Sequence, residues 1–155
     1  MTADTSALQH LARLGVAYEV TRHGRVGSLE EAAKARGVDP ADLIKTMVVR
    51  RAPDDYLLVL VPGDRVIAWP RLREMLGVNR LSMPDAEEAL RVTGYERGTI
   101  TPFGTTTPLP VVADERITGH PISIGGGAHG VGVLMDGDTL IAATAAAVAD
   151  VTDAQ

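Results

Sequence analysis

The sequence predicts an α+β fold in which a mixed, barrel-like β-sheet is surrounded by several short helices. Helical segments with capping residues predominate in the first part of the chain, and short β-rich runs predominate after residue 94. In a βαβ protein strands and helices alternate regularly, and the two kinds of segment do not do so here. No linker, repeat or low-complexity tract interrupts the sequence, so residues 1–155 are predicted to form one domain.

The N-terminal part of the chain predicts two helices separated by a strand. Leucines at helical spacing indicate a helix over residues 6–14, and the alternating apolar side chains of residues 16–20 indicate a half-buried strand. Ser28 and Glu31 form a capping box, which predicts the start of a second helix. Gly37 is expected to end that helix.

The next segment predicts a short helix and then a β-hairpin. Asp39 is a suitable cap, and Pro40 suits the first helical position. Two β-rich runs at residues 45–51 and 56–61 are joined by a predicted turn at 52–55 that contains proline and two aspartates. Because the second run is continuously apolar, that strand is expected to be covered on both faces.

Two further helices are predicted near residues 70–76 and 84–92, each followed by a glycine. Residues 94–110 are rich in Gly, Thr and Pro and predict a long loop. Asp138 is expected to cap a last helix, and residues 147–151 to form a closing strand. Short strands are also predicted at residues 109–113, 117–118, 122–124 and 131–135.

The charge distribution limits the class of partner. The net charge of −5 argues against a duplex-DNA-binding protein, whose affinity would rest on a large basic face. Residues 1–80 carry 12 basic and 10 acidic side chains, whereas residues 81–155 carry 3 and 10. The first part of the chain therefore allows a small, local contact with phosphates. Five aromatic residues are too few for a row of base-stacking platforms.

The composition also predicts that the protein has no metal site and no cofactor. Cysteine is absent, which excludes disulfides, cysteine-based zinc sites, iron–sulfur clusters and a thiol nucleophile. The four histidines do not form a metal-binding motif. Residues 1–5 lack the features of a secretory signal, and the apolar run at 140–149 is too short to span a bilayer. We therefore expect a cytoplasmic protein without a membrane partner.

The glycine-rich run at residues 125–130, GGGAHG, matches the dinucleotide-binding pattern G-x-G-x-x-G. That pattern binds a dinucleotide only where the last glycine opens a helix, and here a strand-like run follows. The dinucleotide interpretation therefore fails. Two alternatives stay open: a structural turn, and a turn whose backbone N–H groups bind an oxyanion or a phosphate.

Among the remaining polar residues, Lys45 is the least expected. Only Lys34 and Lys45 are lysines among 15 basic residues, and Lys45 opens a β-rich run. By itself it is either a strand-end lysine or a functional one. His23 and His129 lie in predicted loops and are the two histidines with the better prospect of a function. The sequence contains no G-x-S-x-G elbow and no carboxylate pair suited to acid–base chemistry.

Taken together, four segments resemble the YbaK family, the aminoacyl-tRNA editing domain that is also inserted in bacterial-type prolyl-tRNA synthetases. The resemblance extends from about residue 16 to residue 151. The segments are residues 37–48, which include GVDP and IKTMV, residues 61–64 (VPGD), residues 94–104 (GYERGTITPFG) and residues 125–130.

The resemblance implies hydrolysis of the ester that joins a wrong amino acid to the 3′ adenosine of tRNA, by a substrate-assisted mechanism. It implies the acceptor end of aminoacyl-tRNA as one partner and an aminoacyl-tRNA synthetase as another. The implied catalytic residues are Lys45, Gly98 and Pro102. The implied substrate-binding residues are His23, Thr46, Thr99, Ile100, Thr101, Phe103, Gly125, Gly126, Gly127 and His129.

Two questions stay open at the level of the sequence. The misattached amino acid is Cys, Ala, Ser or Thr, because residues 125–130 differ from the corresponding loop of the best-known family members. The alternative to an enzyme is a non-catalytic module of the same fold that binds tRNA or a synthetase as an accessory factor.

Overall fold

The structure is a computed structural model that describes residues 4–155; residues 1–3, on which part of the signal-peptide argument rests, lie outside the described residues. The helices of the described chain are α1 (Ser6–Leu14), α2 (Leu29–Arg36), α3 (Trp69–Leu76), α4 (Ala86–Thr93) and α5 (Gly137–Thr144). The strands are β1 (Glu19–Arg22), β2 (Ile44–Ala52), β3 (Asp55–Pro62), β4 (Arg65–Ile67), β5 (Val111–Asp114), β6 (Pro121–Gly125), β7 (Val131–Asp136), β8 (Ala147–Ala149) and β9 (Thr152–Ala154).

The sequence-predicted helices form because their ends are capped as expected. The Ser28 hydroxyl accepts a hydrogen bond from the Glu31 N–H at 3.1 Å, and Glu31 accepts one from the Gly27 N–H at 2.8 Å. The Asp85 side chain caps α4 in the same way. Gly37 ends α2 with the left-handed backbone that glycine adopts without strain.

Three predicted elements differ from the structure. The first strand begins only at Glu19. Residues 117–118 are not a strand: the Asp114 carboxylate accepts a hydrogen bond from the Arg116 N–H and starts a single 3-10 turn there. The helix predicted at Pro40 is also one 3-10 turn, without a side-chain cap. The predicted cap of the last helix is also wrong: Asp138 lies inside α5 and accepts a hydrogen bond from the Gly119 N–H, and Asp136 occupies the cap position without a side-chain hydrogen bond.

The strands form three sheets. A four-stranded mixed sheet has the order β2-β3-β5-β8, in which β3 pairs antiparallel with β2 and parallel with β5. An antiparallel sheet has the order β1-β7-β6, and a small sheet pairs β4 with β9. A bridge between Leu43 and Ser123 joins the first two sheets. The α+β prediction is confirmed, although the strands of residues 4–155 do not close into one barrel.

Strand β3 lies between two hydrophobic clusters, and successive side chains point alternately into each. Leu58 and Leu60 pack with helix α1 and strands β6 and β7, whereas Leu57 and Val59 pack with helix α3. The prediction that this strand is covered on both faces is confirmed. Within residues 4–155, no helix has the length and apolar character needed to cross a membrane.

Candidate active site

A cleft of about 740 Å³ opens between α2, the first residues of β2 and two loops. We call these loops the first glycine loop (residues 94–104, which follow α4) and the second glycine loop (residues 125–130, which join β6 to β7). The cleft brings together residues that are far apart in the sequence. The predicted site residues that line it are His23, Lys45, Thr46, Gly98, Ile100, Gly125 and His129.

Lys45 enters the cleft from the start of β2, where it pairs with Val61 of β3. Its ammonium donates a hydrogen bond to the Arg65 carbonyl at 2.7 Å, which leaves two N–H donors for a ligand. Burial lowers the pKa of Lys45, and the nearby carboxylate of Asp64 opposes that shift.

The first glycine loop turns at Gly98, whose φ of +89° favours glycine. The turn is held by hydrogen bonds from the backbone N–H and the side-chain hydroxyl of Thr99 to the Glu96 carbonyl, at 2.9 and 2.7 Å. A side-chain carbon built on Gly98 would have only His129 Cε1 within 4 Å, at 3.8 Å. The exposed backbone of Gly98 therefore borders open space in the cleft.

The second glycine loop presents only part of its glycine run to the cleft. Gly125 lines the cleft, and a carbon added to it would lie 3.2 Å from the Ile100 carbonyl oxygen, so the two loops are in close contact. Gly126 donates its N–H to Val131 and packs against that residue. Gly127 packs against Tyr95. Gly126 and Gly127 thus shape the loop from outside the cleft.

The other predicted residues outside the cleft belong to the first glycine loop, but they do not line the cleft. The side chains of Thr99, Thr101 and Phe103 are buried. Pro102 and Phe103 border a second, smaller cavity of about 300 Å³ instead. The Phe103 carbonyl accepts a hydrogen bond from the Tyr95 hydroxyl at 2.5 Å, and burial raises the pKa of Tyr95 to about 12.

Two histidines lie at the cleft in different surroundings. His129 is largely exposed and lies 3.6 Å from the Glu96 carboxylate, so it connects the two glycine loops at the surface. His23 accepts a hydrogen bond from Arg36 Nε at its Nε2 atom, at 3.3 Å. A guanidinium only donates, so His23 is neutral here and its Nδ1–H donates to the Gly24 carbonyl at 2.8 Å.

The charged side chains that line the cleft are mainly cationic. They comprise Arg36, Lys45 and Arg97 against the single carboxylate of Asp85, although the chain as a whole carries a net charge of −5. The residues from 4 to 155 contain no group of three or more His, Cys, Asp or Glu side chains placed to hold a metal ion. The chemistry of this lining suits an anionic ligand.

Comparison with known proteins identifies the family. The model of the aminoacyl-tRNA editing domain matches residues 23–143, which span every segment of the cleft. The chain belongs to the aminoacyl-tRNA editing domain family.

The relatives of this editing domain include parts of much longer enzymes. It is 35% identical over 122 residues to the proline–tRNA ligase of Heliobacterium modesticaldum, which covers 76% of this chain and 21% of the ligase. It is 33% identical over 92 residues to that of Caldicellulosiruptor saccharolyticus, covering 59% of this chain and 16% of the ligase. The editing domain therefore spans about a fifth or less of the length of these curated relatives.

One solved structure matches the editing domain over nearly its full length. It is a proposed trans-editing enzyme for prolyl-tRNA synthetase, 26% identical, with a TM-score of 0.87. The match covers 98% of this chain and 99% of that one. The α+β architecture and the resemblance seen in the sequence are both confirmed.

Sequence reasoning missed Arg36, which lines the cleft of the editing domain from the last turn of α2. An arginine at that position is explained by the helix dipole alone, so its position gives no sign of a site. Its cleft-side contacts come from Ser123 and Ile124, far along the chain. Only the three-dimensional structure joins them.

Proposed function

We propose that residues 1–155 act as one editing domain that hydrolyses the ester bond of a mischarged tRNA in trans. The observation that carries this proposal is the convergence of Lys45, Gly98 and Gly125 on one cleft from three separate segments of the chain. Membership of the editing-domain family and similarity to a proposed trans-editing enzyme support it.

Lys45 provides the proposed point of attachment for the tRNA. A compact ammonium with two free donors suits a phosphate oxygen of the terminal adenosine. Held there, the adenosine would direct its 3′ ester along the cleft toward the glycine loops. The hydrogen bond that Lys45 makes to the Arg65 carbonyl keeps the ammonium in place before the substrate arrives.

The glycine loops provide the proposed stabilisation of charge. In ester hydrolysis a water oxygen bonds to the carbonyl carbon, the bond from that carbon to the ribose oxygen breaks, and the departing ribose oxygen takes up the proton that the water gives up. Negative charge develops on the carbonyl oxygen, and backbone N–H groups stabilise such an oxyanion. Gly98 and Gly125 leave the backbone accessible at the cleft.

The proposed mechanism relies on the substrate for activation of the water. Ser28 lines the cleft, but its hydroxyl caps α2, so it is not available as a nucleophile. Thr46 lines the cleft, and its hydroxyl oxygen is buried without a hydrogen-bond partner among the described residues. The neighbouring ribose hydroxyl or the side chain of the amino acid then orients the attacking water, and the cleft contributes correct positioning.

The proposal is tested with tRNAs charged separately with Cys, Ala, Ser and Thr. We expect the wild-type protein to deacylate at least one of them. Lys45→Ala should reduce that rate about 100-fold, because the substrate is then held in the wrong position. Lys45→Arg is expected to fail as well, because the planar guanidinium is larger than the ammonium. Lys34→Ala, on the exposed side of α2, is the matched control and should retain full activity.

The result also decides between the enzyme and a binding module. If the protein releases no amino acid from any of the four tRNAs but still binds tRNA or a synthetase, it is a non-catalytic accessory factor and not a deacylase. A fully active Lys45→Ala variant would remove this lysine from the mechanism.

A further inference from the structure

Arg36 is a cation in the cleft without an acidic partner. Its Nε donates to His23, and its Nη1 donates to the Ile124 carbonyl at 3.2 Å and to the Ser123 hydroxyl at 3.4 Å. All three acceptors are neutral. Nη2 makes no hydrogen bond to any described residue, and no carboxylate of residues 4–155 lies within 4 Å of the guanidinium.

The surroundings hold this guanidinium in one place. A side-chain carbon on Gly132 would lie 2.6 Å from Arg36 Nε, so the absence of a side chain at Gly132 makes room for Arg36. The hydrogen bond to neutral His23 fixes the plane of the group from the other side. The guanidinium is partly removed from water, and this burial lowers the pKa of Arg36.

We infer that Arg36 is a second anion-binding residue of the cleft and binds a phosphodiester of the single-stranded RNA end. This inference rests on the proposed function. The carboxyl group of the amino acid is esterified in the substrate, so the anionic groups that an aminoacyl-tRNA brings to the cleft are its phosphates. A fixed, planar guanidinium with free donors matches the oxygens of a phosphate.

The rest of the cleft makes phosphate contacts more important than stacking. No Phe, Tyr or Trp side chain of the described chain lines the cleft. Base stacking on aromatic rings, which supports many single-strand-binding proteins, is therefore absent from this lining. Affinity for the RNA end then depends mainly on the cations of the cleft and falls as salt is added.

The test uses a short RNA of cytidines that ends in a 3′ adenosine and carries no amino acid. It measures the affinity of the protein for this RNA over a series of salt concentrations. Each phosphate contact to a single strand contributes about 0.7 to the slope of log K against log salt. Arg36→Gln should therefore reduce the slope by about 0.7 and weaken binding. Lys34→Gln removes an exposed positive charge from the same helix and should leave the slope unchanged.

Where Arg36→Gln does not fold, Gly132→Ala provides a second test, because the added carbon would lie 2.6 Å from Arg36 Nε and 2.7 Å from Thr21 Oγ1 and so moves the guanidinium without changing the net charge. The inference is overturned if the wild-type protein does not bind this RNA. It is also overturned if the variant keeps the wild-type slope and loses only thermal stability, since Arg36 would then merely join α2 to β6. Failure of deacylation alone would overturn the proposed function and leave this binding result intact.

Discussion

Lys45 combines partial burial with a nearby carboxylate, and burial is the larger influence on its pKa. The pKa therefore lies below the 10.5 of an ordinary lysine, and the ammonium loses its charge at a lower pH than a lysine in water would. Since the neutral amine binds phosphate poorly, protonated Lys45 is the form that the proposed function requires. Because this pKa is lowered, we expect deprotonation of Lys45 to weaken substrate binding at alkaline pH.

We expect the affinity for an RNA of cytidines and adenosines to fall as pH rises through the lowered pKa of Lys45. These bases do not ionise in that range, so the fall reports on the protein. Lys45→Ala should bind more weakly and show no such fall at pH values below the 10.5 of an ordinary lysine. If the variant shows the same pH dependence as the wild-type protein, another group is responsible.

Among single residues, Lys45 was predicted as a site residue from the family resemblance and because the chain otherwise prefers arginine to lysine. It could not predict Arg36, whose last-turn position suits any helix. The contacts that distinguish Arg36 from an ordinary surface arginine are made with Ser123 and Ile124, and no pattern in the sequence connects α2 with β6.

The two glycine loops differ in what restrains their glycines. Gly98 has a left-handed backbone and faces open space, whereas a carbon on Gly126 would lie 2.5 Å from Val131 Cγ1 and 2.9 Å from the Val131 carbonyl oxygen. The sequence predicted that both loops are functional, but it could not show which glycines face the cleft. Local patterns specify a turn and do not specify its orientation toward another loop.

We expect Gly98→Ala and Gly126→Ala to separate function from stability. Gly98→Ala should reduce deacylation at least tenfold and cost about 1–2 kcal/mol, the strain of a left-handed alanine. Gly126→Ala should cost about 1–3 kcal/mol through overpacking against Val131, while the folded fraction keeps its rate. Urea unfolding and initial rates measured on the same samples check both. If the two variants lost the same proportion of their deacylation rate and the same stability, the assignment of Gly98 to the cleft and of Gly126 to the loop interior would be wrong.

Helices and strands with strong local signals were predicted well. Capping residues such as Ser28 and Asp85 fix helix starts, and the turn at residues 53–54 fixes the β2–β3 hairpin. Strands β4 and β9 were not predicted. Each has three residues without an alternating pattern, and they form only because the chain brings them together.

At the scale of the whole molecule, a buried carboxylate connects the C-terminal strand to the cleft. Asp114, at the end of β5, is inaccessible to solvent and accepts hydrogen bonds from the Thr152 hydroxyl at 3.0 Å and the Val151 N–H at 3.2 Å. Arg65 donates to the same Thr152 hydroxyl at 2.7 Å, and its carbonyl holds Lys45. The position of Lys45 therefore depends on strand β9.

We expect Asp114→Ala to destabilise the protein by about 3 kcal/mol, because two buried donors lose their acceptor. The catalytic rate of the protein that stays folded should fall as well, since the Thr152 hydroxyl that accepts a hydrogen bond from Arg65 loses its own acceptor. Asp150→Asn is the control: this exposed carboxylate contacts Arg71 and Arg116, and its loss should leave both properties nearly unchanged. An Asp114→Ala variant with wild-type stability would contradict the role of this network.

The pairing of distant strands has a consequence for how the chain folds. The β2–β3 hairpin joins neighbouring residues and closes early, whereas β1 pairs with β7 and β4 with β9 across most of the chain. Contacts between distant residues slow folding because a long loop must close first. We therefore expect the hairpin to form before the cleft does. Until β5 pairs with it, the apolar strand β3 lacks its parallel neighbour, and we expect aggregation to begin at this strand when folding is delayed.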